Sequence, residues 1–259
     1  MDLNLAGRKA LVTGASRGIG AAIAEALAEA GCHLRLVARG EQAVCERARR
    51  LAAEHGVEAQ PHPTDLRDPA AIARLSDAVG DVDILVNNAG DVPGGTLTDL
   101  DDRAWRAAFE LKVFGYIGLT RQTYTRMKAR GGGVIVNVIG ASSERFDHAF
   151  IAGSTSGAAL VAFTRSLGGT SLADGIRVVG VSPAPVDTER IITLTREMAR
   201  IHLGEEDRYR ELFARFPLGR PASTREIADA VAFLASNRSA YTSGTVLTID
   251  GGLTASATV

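Results

Sequence analysis

Three glycines with nucleotide-loop spacing are the first residues in this chain whose types and placement can do chemistry. In Val12-Thr13-Gly14-Ala15-Ser16-Arg17-Gly18-Ile19-Gly20, a short apolar run from Lys9 to Val12 stops at glycines and a helical pattern begins at once. A strand that feeds a glycine-rich turn and then a helix points free backbone N–H groups and the positive end of the helix dipole at one spot, which favours a phosphate. Gly14 permits the tight turn, while Gly18 and Gly20 keep a Cβ out of the path of a sugar-phosphate. Glycine-rich loops also serve as plain turns. What separates this one is the helical spacing of Ile19, Ile23, Ala26, Leu27 and Ala30 directly after it, so a nucleotide cradle is the reading and a structural turn the alternative.

The elements that must position this loop follow from alternating patterns. Apolar strand-like runs fall at Lys9 to Val12, His33 to Val37, Glu58 to His62, Ile84 to Asn87, Val134 to Val138, Arg177 to Val181 and Val246 to Ile249. Helical segments lie between them: Ala43 to Ala53, Pro69 to Val79 behind an Asp68 N-cap, Asp102 to Arg130 ending at three glycines, Thr155 to Ala173, and Thr224 to Ala235. This alternation predicts an α/β fold, a single-domain, Rossmann-type, doubly wound parallel sheet of about seven strands. The stretch from Thr188 to Phe216 is helical in pattern, rich in charge and longer than a connector, which makes it a candidate lid over a substrate.

Composition narrows the partners. The 259 residues are 46% apolar with a formal charge of -1 and interspersed acids and bases. That predicts a small-molecule partner, with no nucleic-acid or membrane surface. No stretch is apolar enough to span a bilayer, and Cys32 and Cys45 lack metal-ligand spacing. Without a secretory leader, reduced thiols and a cytoplasmic location are expected.

Taken in order, the motifs resemble the short-chain dehydrogenase/reductase family nearly end to end. Thr13-Gly14-Ala15-Ser16-Arg17-Gly18-Ile19-Gly20 is similar to its cofactor loop, Asn87-Asn88-Ala89-Gly90 to its sheet-stabilising turn, and Asp250-Gly251-Gly252 to its C-terminal signature. Arg220-Pro221 with Glu226-Ile227-Ala228 is similar to the segment before its last helix. The resemblance implies a nicotinamide dinucleotide laid across the C-terminal strand ends and a homotetramer or homodimer packed through the long helices. It also implies cofactor contacts at Gly14, Ser16, Arg17, Gly18, Ile19 and Gly20, at Asp65 and Leu66 near the adenine, at Asn88, Ala89 and Gly90, and at Pro183, Val186 and Thr188 near the carboxamide. The family's acidic position after the second strand falls on Ala38, and Arg39 follows it. Arg17 and Arg39 can sandwich a 2′-phosphate, so NADP(H) is favoured over NAD(H), unless both are merely solvated.

The catalytic stretch departs from the family. Its members use an asparagine, a serine, and a tyrosine and lysine four residues apart; aligning this chain puts those positions at Lys112, Gly140, Gly153 and Gly157. Lys112 is then the candidate proton donor, reaching the nicotinamide ribose through space left by Gly153 and Gly157, against the alternative of a helix lysine that snorkels or pairs with Glu110 or an interface partner. Ser142 and Ser143 are candidates to hydrogen-bond a carbonyl oxygen, or else form a turn. His148 reads as a solvated loop histidine and Tyr116 as helix packing.

Two function classes follow. One is an NADP(H)-dependent oxidoreductase with an atypical proton donor acting on a small apolar carbonyl, imine or enone, the apolar character suggested by Met198, Leu203, Tyr209, Leu212 and Phe213. The other is an NADP(H)-binding sensor or interaction partner that has lost the chemistry, with a lyase or isomerase on the same pocket between them.

Overall fold

The computed structural model describes residues 2–256. Its seven parallel strands run β3-β2-β1-β4-β5-β6-β7, so the chain reverses its direction of travel across the sheet between β1 and β4. The strands are β1 (Lys9–Thr13), β2 (His33–Ala38), β3 (Ala59–Pro63), β4 (Ile84–Asn87), β5 (Gly133–Val138), β6 (Ile176–Pro183) and β7 (Val246–Ile249). The helices are α1 (Gly18–Glu29), α2 (Glu41–His55), α3 (Pro69–Val79), α4 (Asp102–Phe109), α5 (Gly115–Ala129), α6 (Ile151–Gly168), α7 (Glu189–Leu203) and α8 (Thr224–Ala235). The expected α/β doubly wound sheet is the fold found.

Both sheet faces are buried, which explains the near-continuous apolar strands. Ala10, Val12, Leu34, Val136 and Val179 face one layer with Ile23, Leu27, Val44, Ile227 and Val231. Leu11, Val37, Leu85, Ile135 and Val178 face the other with Ile72, Leu75, Leu111, Leu119 and Met127. Between the layers' ends a buried polar chain ties the sheet to its helices: Asn87 donates to Asn137 Oδ1 (2.9 Å) and Thr120 Oγ1 (3.0 Å), and Asn137 donates to Thr164 Oγ1 (3.0 Å). Pairing each of these amides avoids the penalty of burying an unmet donor.

Helix ends follow their caps. Asp68 accepts from Ala70 N–H ahead of Pro69, and Ser223 and Glu226 form a complete capping box at α8, satisfying first-turn donors. Three expectations are corrected. The single long helix is divided, because residues Glu110–Phe114 form a π turn in which Gly115 N–H reaches Glu110 O, and Gly115 lets the helix approach Leu66 O. The helix set at Thr155 to Ala173 starts a turn earlier, at Ile151, and ends at Gly168, with a short 3₁₀ turn at Ser171–Asp174; packing against the sheet overrides the poor helix preference of Gly153 and Ser154. Strand β6 continues through Pro183, which sits where Ala184 N–H, not its own nitrogen, bonds Ile249 O.

Candidate active site

The C-terminal ends of β1, β4, β5 and β6 share one edge of the sheet, and the candidate residues collect there. Gly14 and Gly18 have φ of +66° and +57°, the left-handed region that glycine alone enters freely. A Cβ on Gly20 would stand 2.2 Å from Gly14 O, so the start of α1 lies directly against the turn. No side chain caps α1 at Arg17, which leaves its first N–H groups for a ligand. This cradle fits the pyrophosphate of a dinucleotide.

Thr13 holds the cradle in register, a role the sequence pattern did not reveal. Its buried hydroxyl accepts from the N–H groups of Asn88 (2.8 Å) and Ala89 (3.0 Å), while Asn88 Nδ2 donates to Thr13 O (3.0 Å). Asn88 and Ala89 are thus occupied in joining β1 to β4. Gly18 meets the other side of the cleft, where its Cβ would lie 3.4 Å from the Thr188 methyl. Thr188 begins α7 and donates to Val186 O (3.2 Å), and Val186 is bridged to Ala222. Pro183 closes β6 beside them.

The charged candidates have protein partners here. Arg17 pairs with Glu189 (3.1 Å) and Arg39 with Asp91 (3.4 Å), all four side chains at least half exposed; such pairs contribute little stability and exchange readily. Asp65 is gripped by Arg67, whose hydrogen bonds hold its carboxyl below the usual carboxylate range. Leu66 turns its side chain into the core, leaving only its backbone to face a ligand. Ser16, on the loop, and Ile19, in the first turn of α1, are partly exposed.

Lys112 lies in the π turn, a distortion that recurs at functional sites. Its ammonium donates to Val138 O (3.1 Å) and Ile139 O (2.9 Å) at the end of β5. A Cβ on Gly90 would sit 3.5 Å from Nζ, so the cofactor-side turn borders it. Burial first, and the Arg190 guanidinium second, bring its pKa from 10.5 to about 8. The alternative pairing with Glu110 is not found among the described residues, where Nζ meets the two strand-end carbonyls instead. Nor is the route through the two glycines found: a Cβ on Gly153 would strike the Phe150 ring at 1.9 Å, and one on Gly157 would meet Ser143 Cβ at 2.9 Å. Side chains already fill both spaces, and Lys112 reaches the strand end beside them instead.

Ser142 stands in a short turn with its Oγ 3.9 Å from where a Gly140 Cβ would be. Ser143 turns inward to Ser182 Oγ (3.2 Å). Tyr116 is fully buried and donates to Val138 O (3.0 Å), and burial pushes its phenol far up, so it is packing. His148 is solvated. Two further residues escaped the sequence reading: Arg190 of α7 donates to Val92 O and lies over the Phe150 ring, 5.7 Å from its centroid. They come from segments distant in sequence, with no local signal. In the candidate lid, Tyr209 and Phe213 pack edge to face and Phe213 stacks on Phe216, so these rings spend much of their surface on one another.

Comparison with known proteins agrees with this architecture. A family profile described as enoyl-(acyl carrier protein) reductase matches residues 14–254. The chain is 36% identical over 258 residues to cis-4-hydroxycyclohexanecarboxylate dehydrogenase of Sinomonas cyclohexanicum, covering 96% of this chain and 97% of that protein. It is 33% identical to 3-oxoacyl-[acyl-carrier-protein] reductase of Escherichia coli, covering 97% and 99% of the two. L-sorbose reductase from Gluconobacter frateurii, solved with NADPH and L-sorbose, superposes with a TM-score of 0.93 at 32% identity, over 99% of this chain and all (100%) of that one. Among the described residues, no helix is long and apolar enough to cross a membrane.

Proposed function

This chain belongs to the short-chain dehydrogenase/reductase family of oxidoreductases, and from that premise we propose that it is an NADP(H)-dependent member with an atypical proton donor, acting on a small apolar carbonyl, imine or enone. The observation that carries the reading is Lys112, a lysine held at the end of β5, beside the Gly90 turn, with a pKa of about 8. The NADPH bound to the related L-sorbose reductase supports the cofactor.

A bound nicotinamide supplies or accepts the hydride. The chain's own residues do the rest. Free backbone N–H groups of the Gly14–Gly20 turn would hold the pyrophosphate, Ala15 N–H being bonded to Val37 O, and Arg17 and Arg39 would leave their exposed pairs with Glu189 and Asp91 to meet the 2′-phosphate. Lys112 commits two of its three N–H bonds to the carbonyls of Val138 and Ile139, keeping one to donate to the oxygen or nitrogen that gains a proton. A pKa near neutrality suits that transfer. Ser142, beside Gly140, orients the same acceptor, and the segment from Thr188 to Phe216 excludes water. Half-exposed Phe114, on the long-helix face, supports a homodimer or homotetramer.

A second reading has its own observation. The Phe150 ring and Ser143 occupy the spaces at Gly153 and Gly157, as in a binding protein that has given up acid catalysis. NADPH absorbance followed with a panel of ketones, cyclic imines and enones separates the two. Substrate-dependent decay supports the oxidoreductase; tight NADPH binding without turnover supports the sensor. In the same preparation, Arg39→Ala is expected to weaken NADPH about 10-fold or more while sparing NADH, the effect of losing one charged hydrogen bond. Unchanged NADPH affinity would remove the cofactor assignment.

A further inference from the structure

We propose that a hollow at the opposite end of the sheet, beneath the C-terminal end of α8, binds an oxyanion between Arg8 and Arg177. The hollow has a volume of about 330 Å³ and is bordered by Arg8, Gly132, Gly133, Gly175, Arg177 and Asn237. Arg177 is buried. Its guanidinium donates to Leu234 O (2.8 Å), Ser236 O (2.9 Å) and Ser239 Oγ (3.0 Å), so it closes the end of α8 with neutral acceptors only. Arg8 precedes β1 on the same sheet face, and its Nη1 is shut from solvent with no acceptor among the described residues.

Neither guanidinium has an acidic partner among the described residues. Burial and the charge of Arg8 together pull Arg177 down to about 10. Carboxylates at this end are already engaged: Asp83 by Lys9 N–H (2.8 Å) and Arg130 (3.5 Å), Asp81 by Arg130 (4.0 Å), and Asp174 by Tyr124 (2.6 Å) and Lys128 (2.9 Å). Cys32, the other titratable group in reach of Arg8, is buried and its thiol is pushed up to about 12, so it brings no negative charge. Carbonyls at the end of α8 offset part of the positive charge, but they satisfy Arg177 and not Arg8 Nη1. A buried cation without counter-charge is costly. An oxyanion removes that cost by giving Nη1 an acceptor and both guanidiniums a partner for charged, forked hydrogen bonds. The hollow is several times the roughly 30 Å³ share of one water, and its size admits a phosphate or carboxylate carrying a small organic group. The glycine borders leave that group room.

The test is thermal unfolding and calorimetric titration of the full chain, saturated with NADPH, in inorganic phosphate, sulfate or acetate against sodium chloride of equal ionic strength. Phosphate or sulfate is expected to raise Tm by about 3 °C or more over chloride, and Arg8→Gln to abolish that increment with NADPH affinity unchanged. In chloride, Arg8→Gln should not lower Tm, because the guanidinium it removes has its buried Nη1 without an acceptor. Arg8→Lys, which keeps the charge without the fork, should retain only part of the increment and serves if the glutamine variant fails to fold. A gain in acetate assigns carboxylates to the site; a gain confined to phosphate and sulfate assigns tetrahedral oxyanions. Equal Tm in all four salts, or an increment that survives Arg8→Gln, overturns the proposal.

Discussion

The glycines on the two sides of the cleft are absent side chains of opposite kinds. On the β1–α1 side, Gly14 and Gly18 have positive φ, and a Cβ on Gly20 would meet the backbone carbonyl of Gly14 at 2.2 Å. At Gly14 and Gly20 main chain approaches main chain, and that backbone does not yield without moving the loop. On the α6 side, Gly153 and Gly157 are ordinary helical residues: a Cβ on Gly153 would meet the Phe150 ring at 1.9 Å, and one on Gly157 would meet Ser143 Cβ at 2.9 Å and its backbone Cα at 3.2 Å. A ring turns about single bonds, so the space at Gly153 is filled but not fixed. Gly20 and Gly153 therefore differ in what a Cβ would meet: a backbone carbonyl that cannot yield alone, or a ring that can turn away.

If the α6 side is filled and carries no acid, proton delivery rests on Lys112 alone, and the largest effect is expected there. Lys112→Met should lower kcat by about 10²- to 10⁴-fold, the usual loss on removing a positioned acid. In the unaltered protein, reduction should fall as pH rises through about 8, where the ammonium deprotonates, and steady-state kinetics from pH 6 to 10 will show that limb vanish in the variant. Stability runs the other way. The folded pKa of about 8 lies below the ordinary 10.5, so between these values the unfolded chain binds more protons and stability rises with pH. Lys112→Met should flatten that slope in urea unfolding. A variant that keeps both turnover and the kinetic limb would show that the donor lies elsewhere.

On the cradle side, Gly20→Ala should cost about 1–3 kcal/mol, the range for forcing a group into a packed site, and weaken NADPH at least about 10-fold as the loop shifts. Denaturant melts and NADPH titration measure both. If the alanine variant binds normally, backbone contact is not what the glycine serves.

The strength of this contrast depends on facts of unequal visibility in the chain. Bounds for α3, α8, β4 and β7 follow the sequence closely, because Asp68, Ser223 and Asp250-Gly251-Gly252 are local stop and start signals. The cradle is legible for the same reason: strand, glycines and helix are contiguous. The π turn is not, since five residues of wider winding barely disturb a 3.6-residue pattern. Lys112 emerged only through the family resemblance, and its partners Val138 and Ile139 belong to a different element. Glu189, which meets Arg17, lies 172 residues away. Phe150, three residues before Gly153, carries no local signal that its ring folds back over the helix, since that is decided by tertiary packing with Val92 and Ala152.

The smallest expected effect tests the filled side directly. Gly153→Ala brings two opposing changes: the helix gains about 0.5–1 kcal/mol from replacing an interior glycine, while the new methyl collides with Phe150. A backbone clash would leave the second change dominant whatever else is altered. A side-chain clash is relieved when the ring is withdrawn, so Phe150→Leu, which loses some packing by itself, should make Gly153→Ala favourable. The double-mutant cycle is then expected to show a coupling of about 1 kcal/mol, with the alanine destabilising beside phenylalanine and stabilising beside leucine. Urea unfolding of the four proteins measures it. Additivity within about 0.5 kcal/mol would mean that the Phe150 ring does not hold this space in solution, and the distinction between a side-chain-filled glycine and a backbone-filled one would not apply to α6.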